Sequence, residues 1–487
     1  MRSYLGKRGY VIIKKMFDEQ TIQEIKKELT VQPYVNQEFS EPIKPFKVFL
    51  ENEKKLYLPK YYGYEKFGNP DKIELPDNEK INLSFSVNLR PHQIEPFKAT
   101  METFDKVGGG ILSLPCGEGK TALGCKIIAE KGEKTLVLVH KEFLLNQWIE
   151  RIMFFLPGAR IGKIQGKTVD IKDKDIVLGM IQSISMKDYE INIFDSFGFV
   201  ILDEAHRCPS REFSKALRKI NSKYMLGLSA TPNRKDGLTK VLKWFVGDVY
   251  FLRKGKGTGS SIVERYIYDC TENIYCEEKL GYYGKINSAG MINQIAEYFL
   301  RTKFIWRKIE ECLQENRIIL VLADRKDFLK DLEGFAISND VSYGYYIGGM
   351  KRTALEESAK KDVIFATFQM AQEGLDISTI DTIILATPKT EIEQAVGRIR
   401  PKVDPENEAN TPLVIDIVDD FSMFSKQALK RYNFYKTKNY YIETFKVDKN
   451  GENQVKLSTY DPNDKKPKKD KKKKEDKPAF AFSSGLE

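Results

Sequence analysis

Residue types that build disulfide frameworks, metal centres and membrane spans are scarce in this chain of 487 residues. It contains six cysteines, none spaced as a CxxC pair, and three scattered histidines, so neither a disulfide scaffold nor a zinc cluster is indicated. Its apolar runs fall far short of the roughly 18 residues that a membrane-spanning helix needs. The first residues lack the apolar core of a secretory signal. These absences predict an intracellular, reducing setting with no membrane partner.

The positive charge of the chain is concentrated at one end. Residues 464–477 contain nine lysines and four acidic residues, a net charge of +5, which is half of the total of +10. Such a segment is too polar to bury, so we expect a disordered, Lys-rich tail over 446–487. The tail is interpreted as a solubilising appendage, with phosphate tethering or a nuclear address as alternatives. The other half of the charge is compatible with a phosphate-binding groove but does not require one.

Residues 1–85 predict a small α+β accessory domain. Asp18 is placed to cap a short helix with apolar residues at helical spacing. Alternating apolar and polar residues on either side of Asn52 predict a hairpin. An aromatic run with lysine follows at 59–64. It either packs against the rest of the protein or stacks on nucleic-acid bases.

Two longer stretches show the same alternation of near-continuous apolar runs with helical segments, which is typical of parallel strands buried on both faces of a sheet. In the first stretch, 86–250, the runs lie at 110–114, 135–139, 176–179, 199–202 and 226–229. In the second, 301–445, they lie at 318–322, 363–366, 383–385 and 414–418. A segment poorer in such runs, 251–300, is interpreted as a connector. The sequence therefore predicts an α/β fold of two doubly wound parallel-sheet lobes in tandem.

A phosphate-binding loop is predicted at 115–121, between a predicted strand and a helical segment. Its glycines let backbone N–H groups face phosphate oxygens without an intervening Cβ, and the next helix presents its positive end to the anion. Lys120 would reach the β- and γ-phosphates of ATP, and the Thr121 hydroxyl would bind Mg²⁺. The candidate nucleotide-binding residues of the loop are Pro115, Cys116, Gly117, Glu118, Gly119, Lys120 and Thr121.

An acidic pair, Asp203 and Glu204, follows the apolar run at 199–202. Beside a phosphate-binding loop, Asp203 can hold Mg²⁺ through its waters, and Glu204 can polarise the attacking water. An acidic helix cap is the structural alternative. Together the two motifs predict ATP hydrolysis.

With these motifs in place, residues 86–440 resemble helicase superfamily 2. Leu-Arg-Pro-His-Gln at 89–93 resembles the adenine-reading element, with Gln93 as the base contact, and Ser-Ala-Thr-Pro at 229–232 resembles the coupling motif. The resemblance implies two RecA-like lobes that close on ATP. It implies coupling roles for Ser229 and Thr231. It also implies nucleotide-site roles in the second lobe for Gly374, Asp376, Gln394, Arg398 and Arg400.

The resemblance further implies that nucleic acid lies across both lobes, held mainly through its phosphates and with little sequence preference. The contacts carried over from the family motifs are Lys141, Gln182, Ser183 and Thr367. For Gln182 and Ser183, a role as ordinary polar loop residues is the alternative. The pair Gln147 and Trp148 resembles part of the first strand-contacting motif.

Within the superfamily, the chain is most similar to the XPB-like group, which includes phage branch-processing helicases and large-DNA-virus transcription helicases. The residues that carry this similarity are Asp-Glu-Ala-His at 203–206 and Ser-Ala-Thr-Pro-Asn-Arg-Lys-Asp at 229–236. XPB itself has Arg-Glu-Asp where this chain has Arg-Lys-Asp, so Lys235 is a departure.

This similarity implies an ATP-driven motor on duplex or branched DNA, in viral-type transcription or in DNA repair. Transcription machinery is then a candidate partner, and a cytoplasmic viral factory, a virion or the nucleus a candidate location. An RNA-dependent ATPase is the alternative, although the 87 residues after Arg400 leave no room for the extra domains of DEAH-box RNA helicases. A non-catalytic scaffold is a further alternative, but it has no need of a complete hydrolytic set.

The arginine motif departs from the usual family spacing of four and seven residues after the glutamine. Arg398 lies four residues after Gln394, but Arg400 lies six residues after it, and Pro401 occupies the seventh position. One helix position turns a side chain by about 100°. We therefore expect Arg398 to be the principal arginine finger and Arg400 to contribute less.

Overall fold

The computed structural model describes residues 1–34, 44–115, 117–190, 192–205, 211–230, 237–253, 261–281, 284–373, 377, 379–397 and 411–464. Two eight-stranded sheets dominate these ranges, and a four-stranded and a two-stranded sheet accompany them. No helix in the described part of the chain is long and apolar enough to cross a membrane. No group of three or more His, Cys, Asp or Glu side chains in these ranges could hold a metal ion by itself.

The N-terminal unit is built from short antiparallel strands and two helices. Its elements are β1 (Ser3–Gly6), β2 (Gly9–Ile13), a 3-10 helix (Lys14–Met16), α1 (Glu19–Glu28), β3 (Thr30–Val31), β4 (Phe46–Lys47), β5 (Leu50–Glu51), β6 (Lys55–Leu58) and α2 (Lys60–Phe67). The sheet order is β1-β2-β6-β5, and β3 pairs with β4. The Asp18 carboxylate accepts the Thr21 N–H at 2.7 Å, which confirms the predicted helix cap. The antiparallel pairing of β5 with β6 confirms the hairpin around Asn52.

Helix α2 carries the aromatic run at 59–64 and fastens the N-terminal unit to the first lobe. The Tyr62 ring meets the edge of Trp244 with 5.3 Å between ring centroids. The Lys60 ammonium is buried and donates to the Ser222 carbonyl oxygen at 3.1 Å. Burial lowers the pKa of Lys60 to about 7. Lys60 and Tyr62 therefore pack within the protein, as the first of the two interpretations of this run requires.

The first lobe surrounds a parallel sheet with helices on both faces. Its elements are α3 (Pro91–Val107), β7 (Gly109–Ser113), α4 (Lys120–Lys131), β8 (Thr135–Val139), α5 (Glu142–Phe155), β9 (Ile161–Gln165), β10 (Thr168–Val169), β11 (Ile176–Met180), α6 (Ile181–Met186), β12 (Phe199–Leu202), α7 (Arg211–Leu217), β13 (Tyr224–Ser229), α8 (Thr239–Val246) and β14 (Val249–Leu252). The strand order is β10-β9-β11-β8-β12-β13-β7-β14. The pairing of β9 with β10 is antiparallel and every other pairing in this sheet is parallel. Each of the five predicted apolar runs forms a buried strand here.

The second lobe repeats this architecture. Its elements are β15 (Ile262–Asp269), α9 (Asn273–Cys276), α10 (Ser288–Glu297), α11 (Phe299–Gln314), β16 (Ile319–Ala323), α12 (Lys326–Ser338), β17 (Tyr343–Tyr346), α13 (Arg352–Ser358), β18 (Val363–Thr367), α14 (Phe368–Glu373), β19 (Thr382–Leu385), α15 (Glu393–Val396), β20 (Leu413–Asp419), α16 (Ser422–Thr437), β21 (Tyr441–Asp448) and β22 (Gln454–Tyr460). The strand order is β17-β18-β16-β19-β20-β15-β21-β22, parallel except at β21–β22. The fold is thus two tandem RecA-like lobes.

Two predicted boundaries need correction. The connector predicted at 251–300 contains β15, which lies between β20 and β21 inside the second sheet. The tail predicted to begin at 446 is ordered further along, since β21 runs to Asp448 and β22 to Tyr460. In both cases the strand is polar on part of its surface, so it does not give the continuous apolar run used to recognise buried strands. The lysine-rich residues from 465 onward lie outside the described ranges.

Two buried ion pairs hold the second lobe together. Arg301 on α11 donates to both carboxylate oxygens of Asp419, at 2.6 and 2.7 Å, and both side chains are fully buried. Arg431 on α16 pairs with Asp416 at 2.8 Å, also in the interior. Arg431 and Tyr435 are both buried, so the face of α16 that carries them packs against the sheet.

Candidate nucleotide site

The predicted phosphate-binding loop joins β7 to α4 at the carboxyl edge of the first sheet. Gly117 and Gly119 have φ angles of 82° and 77°, in the left-handed region that favours glycine. Lys120 is the first residue of α4, and its ammonium donates to the carbonyl oxygens of Leu114 at 3.1 Å and Pro115 at 3.2 Å. Thr121 follows on the same helical turn. The loop thus has the form that the sequence predicts, with a cation at the start of a helix.

The predicted adenine-reading element lies against this loop. Gln93, on the first turn of α3, donates through Nε2 to the Glu118 carbonyl oxygen at 3.2 Å, and its Oε1 accepts the Arg90 N–H at 2.9 Å. A Cβ on Gly119 would stand 2.2 Å from Gln93 Nε2, so a larger residue there would displace the Gln93 side chain. The structure therefore brings together two motifs that are 25 residues apart.

The acidic pair follows β12, two strands from β7 in the same sheet. Burial raises the pKa of Asp203, and the charge of Glu204 raises it further, whereas a hydrogen bond from Trp148 and the charge of Lys120 lower it. Because β12, β13 and β7 are parallel neighbours, the two predicted motifs follow strands that end at the same edge of the sheet. Glu204 has a φ of 49°, a strained conformation for a side chain of this type, and its N–H donates to Asp203 Oδ1 at 3.0 Å.

Trp148 has a different position from the one that its motif suggested. Its side chain is buried on α5, and the indole N–H donates to Asp203 Oδ2 at 2.8 Å. It therefore orients the acidic pair and has no exposed surface for a strand of nucleic acid. The resemblance to a family motif suggested that Trp148 contacts a strand of nucleic acid. The residue that it contacts in the structure, Asp203, lies 55 residues further along the chain.

Other predicted residues lie along the same carboxyl edge of the first sheet. Ser229 ends β13 and is in register with Ser113 of β7, so the coupling motif begins beside the phosphate-binding loop. Lys141 is the last residue of the short link between β8 and α5. Gln182 Nε2 donates to the His140 carbonyl oxygen at 2.8 Å, and Ser183 Oγ accepts the Gly166 N–H at 2.9 Å. Gln182 and Ser183 thus connect neighbouring loops, and their contact with nucleic acid stays a prediction.

In the second lobe, Thr367 ends β18 and Gln394 lies on α15. Thr367 is in parallel register with Ala323, the last residue of β16, so it also stands at the carboxyl edge of a sheet. The remaining predicted site residues fall outside the described ranges: Cys116, Thr231, Gly374, Asp376, Arg398 and Arg400. Their roles stay predictions from the sequence.

The spacing of the arginine motif predicts unequal roles for its two arginines. We expect Arg398→Ala to slow ATP turnover at least about tenfold more than Arg400→Ala, because an arginine finger acts only when it reaches the transferring phosphoryl group. Turnover would be measured at saturating ATP and nucleic acid, with Lys402→Ala as a neighbouring control for loss of a cation. A larger loss at Arg400 would refute the assignment.

A phosphate-binding loop, an acidic pair two strands away and a second lobe of the same fold define a two-lobed P-loop NTPase. Comparison with known proteins then gives the family. The family described as the res subunit of type III restriction enzymes matches residues 86–234. A protein of Acanthamoeba polyphaga mimivirus, named as an ATP-dependent RNA helicase, is 36% identical over 460 residues, which cover 92% of this chain and 88% of that protein.

Two further relatives are more distant. A protein of African swine fever virus, also named as an ATP-dependent RNA helicase, is 27% identical over 71% of this chain and 74% of its own length. The DNA 3'-5' translocase XPB2 of Sulfurisphaera tokodaii is 26% identical over 70% of this chain and 76% of its own length. The chain belongs to the viral helicases of superfamily 2, in the XPB-like, ResIII-containing group. It is an ATP-dependent helicase-type enzyme that acts with nucleic acid.

Proposed function

We propose that the chain hydrolyses ATP at the loop 115–121 and uses the closure of its two lobes to translocate along duplex or branched DNA. The observation that supports this ATP site is that Gln93, Lys120 and Asp203 lie at the same edge of the first sheet. Lys120 would hold the β- and γ-phosphates and Gln93 the adenine. Glu204 would accept the proton of the attacking water.

The oxygen ligands at this edge fit a magnesium ion. Thr121 offers a hydroxyl and Asp203 a buried carboxylate, and Mg²⁺ prefers such oxygen donors together with substrate phosphates and water. When bound, the ion would neutralise charge that develops on the phosphates. The fixed orientation of Asp203 by Trp148 supports this proposal, because a metal-binding carboxylate is commonly held by a second residue.

DNA is the substrate that we favour, on the strength of the match to a restriction-enzyme subunit and the similarity to a named DNA translocase. RNA is the second candidate, because the viral relatives are named as RNA helicases. A role in viral transcription or in DNA repair is compatible with either relationship.

ATPase activity measured with single-stranded DNA, duplex DNA, forked DNA and RNA distinguishes the two substrates. We expect DNA of arbitrary sequence to stimulate turnover more than RNA does. Affinity for DNA should fall on the order of 10³-fold or more between 50 and 200 mM salt if six or more phosphates are contacted. Binding that is insensitive to salt would contradict a phosphate-tracking groove, and stronger stimulation by RNA would favour the second candidate.

A further inference from the structure

One side chain joins the phosphate-binding loop to the adenine-reading helix, although it belongs to neither. Arg253 directly follows β14, at the edge of the first sheet, and its guanidinium Nη1 donates to the Glu118 carboxylate at 2.9 Å and to the His92 carbonyl oxygen at 2.8 Å. Its Nη2 donates to the Glu95 carboxylate at 3.0 Å. Its own backbone N–H donates to the Ser113 carbonyl oxygen at 3.0 Å, which ties it to the strand that leads into the loop.

Glu118 is consequently held against α3 at two points. Its carbonyl oxygen accepts Gln93 Nε2, and its carboxylate accepts the Arg253 guanidinium. The planar fork of an arginine can bond two carboxylates and a carbonyl at once, which the single ammonium of a lysine cannot do in a fixed geometry. The loop and the first turn of α3 are therefore fixed in position relative to each other.

The charges around Arg253 also indicate a role for it in nucleotide binding. Glu118 belongs to the loop proposed to hold the triphosphate, and its carboxylate pairs with Arg253. Glu95 adds a second carboxylate on the adjacent helix. Arg253 pairs with both, and without it two negative charges would face an incoming polyanion.

We propose that Arg253 is a positioning residue that sets the affinity for ATP and the preference for adenine, by neutralising Glu118 and by holding Gln93 against the loop. This inference rests on the proposed function, in which ATP binds at 115–121. Arg253 bonds Glu118, His92 and Glu95. It acts through Glu118 and through the first turn of α3.

The test compares steady-state kinetics and the binding of fluorescent ATP and GTP analogues for four variants. We expect Arg253→Ala to raise the KM for ATP about tenfold with a smaller effect on kcat, since it removes charge-assisted hydrogen bonds from the binding site and leaves the reacting groups in place. The preference for ATP over GTP should decrease, because α3, which carries Gln93, loses its hydrogen bonds from Arg253. Adding Glu118→Gln to Arg253→Ala should return part of the affinity, because it removes the charge left unpaired.

Arg160→Ala is the matched control. Arg160 also pairs with a carboxylate, Asp175, at 2.6 Å in the first lobe, but both precede their strands and so lie at the opposite edge of the sheet. It should leave KM and base preference unchanged. The inference is overturned if Arg253→Ala keeps both within about twofold of the parent chain, or if Arg160→Ala has the same effect. Lys120→Ala distinguishes failure of the proposed ATP site from failure of the proposed role of Arg253. If Lys120→Ala retains turnover, the proposed ATP site fails. If it is inactive while Arg253→Ala is unchanged, only the role of Arg253 fails.

Discussion

Replacing Glu204 by glutamine is expected to preserve nucleotide binding while slowing ATP turnover by about 10²- to 10⁴-fold, the usual contribution of a general base. Glutamine has the size of glutamate but cannot accept the proton of an attacking water. The strained φ of 49° at Glu204 and the hydrogen bond from its N–H to Asp203 hold the residue at the tip of β12. Because neither feature involves the Glu204 side chain, the substitution leaves them intact. Phosphate release would report turnover, and titration with a fluorescent ATP analogue would report binding.

Two further variants serve as comparisons for that measurement. Lys120→Ala should lose hydrolysis and weaken binding, because no other described side chain of the loop carries a positive charge to the phosphates. Glu130→Gln should change neither, since the exposed Glu130 lies near the far end of α4 and pairs with Lys126 on the same helix. Near-normal turnover in Glu204→Gln would refute its assignment as the base.

The fold could be predicted wherever burial on both faces of a sheet dictates a continuous apolar sequence. The strands β7, β8 and β12 are such cases, and every residue in them is buried. The apolar run identifies these elements, because a buried polar side chain costs free energy unless it is hydrogen-bonded.

The strand β15 shows why the rest could not be predicted. Its sequence includes Glu264 and Arg265, and a charge in the middle of a run argues against a central strand. Arg265 is tolerated because it lies 3.8 Å from Asp416 of the adjacent β20 and 4.7 Å from the Tyr432 ring. Those partners are more than 150 residues away in sequence, so nothing local reveals them. The edge strand β22 carries Val455 and Leu457 on one face, but both are exposed, so burial does not impose a continuous apolar run there.

The residues of the candidate site likewise divide into those that local sequence reveals and those that it does not. Residues in contiguous motifs, such as Lys120 and Asp203, can be found because the chemistry requires particular residue types at a fixed spacing. Residues that support those motifs cannot, because support requires only proximity in the fold. Trp148 and Arg253 are both of this kind, and each contacts its motif across a long stretch of sequence.

Loss of the Arg301 side chain is expected to destabilise the second lobe by about 3–5 kcal/mol, the usual cost of leaving one member of a buried ion pair without its partner. Asp419 lies at the end of β20 with no exposed surface to speak of, and it accepts hydrogen bonds from Arg301 and from the Tyr275 hydroxyl at 2.6 Å. In Arg301→Met the apolar part of the side chain remains. Among the described residues, the carboxylate then keeps only the Tyr275 hydroxyl as a side-chain hydrogen-bond donor.

Hydrogen exchange of the β20 amides would measure this loss locally, which avoids assigning one unfolding free energy to a chain with several domains. Lys330→Met is the matched control: it breaks an exposed pair with Asp327 in the same lobe and should change stability by less than about 1 kcal/mol. The double variant Arg301→Met/Asp419→Leu should recover much of the loss, since well-packed apolar residues can replace a buried pair at little cost. If the single variant were as stable as the parent chain, the carboxylate would have to reach water or another donor, and the pair would not be what joins α11 to the sheet.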